Sequence, residues 1–145
     1  MSLCDLGIGK MHYLLGIRKL NEDITDNMLL MAELRAKLTD ISSHNSGERV
    51  VSSPSGGKMD SIVAKIIEID ERTDFLIDVM HDYKEKADEV LMKMDRKYYE
   101  VMWLYYVAGK TNREIALDIG LSVSSVKKIK HAGLEEYKRL SAELR

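Results

Sequence analysis

The stretch TNREIALDIGLSVSSVKKIK, Thr111–Lys130, reads as two short helices meeting at a tight corner. Thr111-Asn112-Arg113-Glu114 has the S/T-x-x-E form of a capping box, so a helix is expected to start at Asn112. The Thr111 hydroxyl would accept from the Glu114 amide while the carboxylate reaches back. Ile115, Ala116 and Ile119 form the inner face of this helix, and small Ala116 lets a second helix approach closely. Gly120 supplies the positive φ of a sharp turn. Leu121 is expected to fill the space under the turn and Ser122 to cap the second helix. That helix carries Val126 and Ile129 inward and continues through Leu134, Tyr137 and Leu140. These features in register make a helix-turn-helix.

Fixing the inner face fixes the outer one. Val123, Ser124, Lys127, Lys128 and His131 project away from the core, with Ser125 and Lys130 on the flanks. Small side chains near the start of a recognition helix let its backbone approach the floor of the major groove. Lysines reach phosphates or guanine edges, and no acidic residue lies between Gly120 and Gly133. The helix N-termini at Thr111 and Ser122 offer amides to phosphate oxygens. The expected DNA-binding residues, with the resemblance given below included, are Thr111, Asn112, Arg113, Ser122, Val123, Ser124, Ser125, Lys127, Lys128, Lys130 and His131. The expected partner is double-stranded DNA.

Charge is distributed in the same sense. The chain of 145 residues has a net charge of −2, but residues 1–94 sum to −5 and residues 95–145 to +3. A polyanion contact belongs in the C-terminal third.

Immediately upstream, RKYYEVMWLYYVAGK (96–110) is apolar nearly all round from Tyr98 to Val107. Such a helix must be covered on more than one side. Gly109 would end it as a C′ glycine, and Trp103 is expected to anchor the core.

Further out, residues 42–58, SSHNSGERVVSSPSGGK, hold the only proline, three of nine glycines and six serines. This is loop chemistry. On either side, apolar residues recur at alternating spacings of three and four. The first run is Tyr13, Ile17, Leu20, Ile24, Met31, Leu34, Leu38 and Ile41, with Asn27 in the one polar slot. Asn27 would fix register through a polar partner unless Met28 rotates in instead. The second run is Met59, Ile62, Ile66, Ile69, Thr73, Leu76, Met80, Tyr83, Ala87, Val90 and Met94. A period of 3.5 sustained this long indicates coiled-coil packing. The second helix can fold back antiparallel on the first, or a second copy can fill the same stripe as a homodimer.

The expected architecture is all-α: a long antiparallel coiled-coil hairpin followed by a small helix-turn-helix domain. Its parts are an N-terminal coiled-coil helix (1–41), a Ser/Gly-rich linker (42–58), a second coiled-coil helix (59–94) and the DNA-binding domain (95–145).

LYYVAGKTNREIALDIGLSVSSVKKIKHAGLEEY (104–137) resembles region four of bacterial sigma factors, which reads the promoter −35 element. SGERVVSSPSGGKMDSIVAKIIEID (46–70), followed by a long acidic helix, is similar to small phage and prophage regulators of the RinA/ArpU type. The resemblance implies control of phage or prophage transcription, with Ser124, Ser125, Lys127, Lys128 and His131 facing the groove and Arg113 near the DNA backbone. Sigma region four usually carries arginines where this chain has lysines. With no region two present, the chain should not melt promoters, so activation implies recruiting RNA polymerase or assisting another factor.

Other classes are weaker on the residues. His12, His44, His81 and His131 are scattered, with no Cys/His metal spacing, catalytic triad pattern or phosphate-cradling glycine loop. Neither an enzyme nor a cofactor is expected. A phage small-terminase-like packaging component also joins such a corner to an oligomerisation stem, and a protein adaptor would use the stem alone. The lone Cys4 cannot form an internal disulfide, no signal peptide is evident, and no apolar run approaches the ~20 residues of a membrane span. A cytoplasmic protein without a membrane partner is expected.

Overall fold

A computed structural model describes residues 11–45 and 54–143. Cys4 and the centre of the Ser/Gly-rich stretch, 46–53, lie outside the described residues. Five α-helices follow in order: α1 (Met11–Asn45), α2 (Pro54–Leu91), α3 (Arg96–Met102), α4 (Asn112–Ile119) and α5 (Val123–Glu143). A π-helical segment, Trp103–Val107, extends α3. Among the described residues there is no strand.

The helices reach into both ends of the stretch expected to be a loop, since α1 runs on to Asn45 and α2 begins at Pro54. Proline at the start of a helix is accommodated because its missing amide has no intrahelical partner there.

The long helices α1 and α2 pack together as an antiparallel hairpin. The chain divides into two compact units, residues 22–78 and residues 11–21 with 79–143.

In the first unit, Ile24, Met31 and Ile69 are buried, while Leu34, Leu38, Ile62 and Ile66 are half-buried at the expected seam positions. Asn27 is half-buried and Met28 is 57% exposed, so the polar slot stays in the seam. Thr73 is buried too, and its hydroxyl donates to the Ile69 carbonyl at 2.7 Å. A seam hydroxyl satisfied within its own helix needs no partner across the interface.

In the second unit, α1 contributes Leu14 and Ile17, both fully buried. Gly16 faces the Tyr83 ring so closely that a methyl there would lie 2.6 Å from Tyr83 Cε2. The Tyr13 and Tyr83 rings meet edge to face, with centroids 5.1 Å apart. A hydrogen bond of 3.1 Å links His12 Nε2 and the Tyr83 hydroxyl. Ala87, Val90 and Leu91 at the end of α2, and Met94 just after it, are buried as well.

α3 packs along α5. Met102 is fully buried against Gly133, and Tyr137 is fully buried as well. Trp103 is 39% exposed, which corrects its expected role as a core anchor. The π-helical segment changes the periodicity at this point. Tyr106 and Val107 turn inward instead, and Trp103 is left on a surface with Arg96, Tyr99, Glu100 and Leu104.

Candidate nucleic-acid interface

The corner is built as its local chemistry demands. Thr111 is extended (φ −78°, ψ 161°), and its hydroxyl accepts from the Glu114 amide at 3.2 Å. The Glu114 carboxylate reaches back to that hydroxyl, accepting from it at 3.1 Å. Caps of this kind are worth about 1 kcal/mol. Gly109 (φ +76°) ends the preceding helical run, and Gly120 (φ +72°) ends α4.

The Gly120 and Leu121 amides both donate to the Ala116 carbonyl, Leu121 at 3.1 Å. The Leu121 side chain is 42% exposed, so the turn is closed by its amide and not by its side chain, contrary to expectation. Ser122 accepts from the Ser125 amide at 3.1 Å and donates to the Ser125 hydroxyl at 2.9 Å, starting α5.

Beneath the corner lies one apolar cluster of Val101, Ile115, Ala116 and Val126, with Leu104, Tyr105, Ile119 and Ile129 packed against it. Ile115 and Val126 are fully buried. Each contributes about 1.5–3 kcal/mol by leaving water.

With that cluster beneath it, α5 turns Val123, Ser124, Lys127, Lys128 and His131 to solvent. Their spacing of three and four places them on one helical face. Acidic side chains resume on α5 only at Glu135. Thr111, Arg113 and Ser122 are exposed as well, and Ser125 is half-buried in its cap.

Two of the expected residues are otherwise engaged. Lys130 is half-buried and its ammonium donates to Asn112 Oδ1 at 3.0 Å. The same ammonium lies 3.7 Å from the centroid of the Tyr105 ring. At the far side of α4, Lys110 pairs with Asp118, whose carboxylate holds the ammonium above the usual lysine range.

Sequence reasoning missed the most extended connection to this corner. The Arg18 guanidinium of α1 lies 3.9 Å from the Tyr105 centroid. Its Nη1 donates to the carbonyls of Tyr105 (2.7 Å) and Lys110 (3.1 Å). The only signal available was that Arg18 follows Ile17 in the apolar stripe, on a helix otherwise read as stem.

Residues 84–136 match the family model of sigma-70, region 4.

The C-terminal part of the chain is thus a sigma region 4-like helix-turn-helix domain, and such a domain suggests a DNA-binding regulator of transcription. The match begins within α2, so the end of the second stem helix and the corner fall in one sigma region 4-like segment. Neither a curated protein nor a solved structure matches the chain. Among the described residues, no helix is long and apolar enough to cross a membrane, and no group of three His, Cys, Asp or Glu side chains is placed to hold a metal ion.

Proposed function

We propose that this chain is a sequence-specific DNA-binding regulator of phage or prophage transcription, acting in the cytoplasm and without catalysis of its own. It enters the major groove with α5 and affects initiation by recruiting RNA polymerase. The observation that carries this reading is the outer face of α5. Ser124, Lys127, Lys128 and His131 stand exposed on one side of a region 4-like corner, with no acidic side chain among them.

Each part has a physical role. Val123 and Ser124 are short enough for the start of α5 to approach base edges. Lys127 and Lys128 neutralise phosphates as point charges; lysine lacks the planar fork with which arginine reads guanine, so much of the affinity is electrostatic. The capped starts of α4 and α5 direct backbone amides toward phosphate oxygens. The phage assignment is supported by the RinA/ArpU-like sequence around residues 46–70 and by the order of the parts, stem first and corner last. Recruitment of polymerase is supported by the region 4 match, because this region alone gives no means of opening the duplex.

Selection of bound duplexes from a random pool at near-physiological salt tests the reading. An enriched motif that recurs beside promoters is expected. A bound pool with no enrichment overturns sequence-specific regulation.

A further inference from the structure

Tyr105 is flanked by two cations from opposite ends of the sequence, Arg18 of α1 at 3.9 Å and Lys130 of α5 at 3.7 Å. Three helices and the connecting turn meet through this ring. Arg18 also donates to the carbonyls of Tyr105, within the π-helical segment, and of Lys110, which immediately precedes the Thr111 cap. Lys130 also donates to Asn112, the first residue of α4. Close by, the Asn21 amide nitrogen of α1 backs Gly109, where a methyl would meet it at 3.0 Å. The first stem helix therefore holds the turn from which α4 departs, and the same ring holds α5.

We infer that Arg18 is a positioning residue for DNA binding: through Tyr105 it fixes where α4 and α5 stand, and it leaves Lys130 as an internal tie rather than a phosphate contact. This rests on the reading of α5 as the DNA-facing helix.

The chemistry fits a brace better than a surface ion pair. A guanidinium presents its donors in a rigid plane, so one group can face a ring and bond two carbonyls together. Bonds from a charged donor are about twice as strong as neutral ones. A lysine at this position can face the ring or reach a carbonyl but lacks the fork.

The experiment is a duplex titration of the full chain over a range of salt, well below the melting temperature of every variant used. For Arg18→Met, affinity at fixed salt should fall about tenfold, the scale of one charged hydrogen bond, with the salt slope unchanged. Arg18→Lys should recover part of the loss, and it provides the comparison if Arg18→Met does not fold. Lys130→Met should also weaken binding at unchanged slope.

Variants that melt earlier yet bind as tightly as the wild type would make Arg18 structural only and overturn the inference. So would a slope lowered by about 0.9 in Arg18→Met or Lys130→Met, the mark of a lost phosphate contact. A wild-type chain that binds no duplex would instead overturn the DNA reading itself, and this inference with it.

Discussion

Gly133 of α5 lies directly over Met102 at the end of α3, so close that an added methyl would come within 2.9 Å of both the Cγ and Sδ atoms of Met102. Met102 is fully buried and cannot swing into solvent. This contact sets how near α5 lies to α3. Gly133→Ala should gain the helix propensity of alanine, up to about 1 kcal/mol, but lose more by overpacking, which typically costs ~1–3 kcal/mol. Urea unfolding should show a net loss of about 1 kcal/mol. A stabilised variant would mean that the α3–α5 contact is looser than described.

Ala116→Leu probes the other close approach. Ala116 sits in the cluster with Val101, Ile115 and Val126. Three further carbons have no room between α4 and α5, and the expected cost is ~1–3 kcal/mol. A neutral result in thermal unfolding would show that the two helices are not packed through this residue.

Alkaline pH should loosen the second unit through its tyrosines. Burial pushes the Tyr106 phenol up to about 12, with the neighbouring Tyr105 adding to the rise. Burial also raises Tyr137, followed by the effect of Glu89. A phenol in the unfolded chain loses its proton near its ordinary value of about 10. The stabilising contribution is therefore complete below about pH 10 and is lost as pH rises toward 12. Tyr106→Phe keeps the ring and removes the proton, so unfolding free energy between pH 10 and 12 should fall less steeply than in the wild type. Equal slopes would show that Tyr106 ionises alike in both states.

Much of the corner was legible because each device is local. The Thr111 cap, the left-handed Gly109 and Gly120, and the Ser122 cap are each dictated by a few adjacent residues, and all four are present. The stem stripes were legible for a related reason, since a spacing of three and four names one helical face wherever the partner comes from. Leu14 escaped because it lies beside the stripe and is buried by the wider core of the second unit.

The remainder depends on contacts distant in sequence. Trp103 is the largest side chain of an apolar segment, yet the π-helical turn leaves it partly outside, which no α-helical period could anticipate. Lys130 looks like its neighbours Lys127 and Lys128 in sequence and differs only because Asn112 and the Tyr105 ring lie beside it. Arg18 stands 87 residues before its acceptor Tyr105, and nothing in either segment announces the pairing.

The outer face of α5 as a DNA surface is tested most directly by the salt dependence of duplex binding in the wild type and in Lys127→Ala/Lys128→Ala. Both lysines are exposed on that face. Their loss should weaken binding and reduce the slope of log K against log salt by up to about two, at ~0.9 for each phosphate contact removed. A double variant that binds with the wild-type slope would show that these lysines meet no phosphates and that α5 does not lie against the duplex.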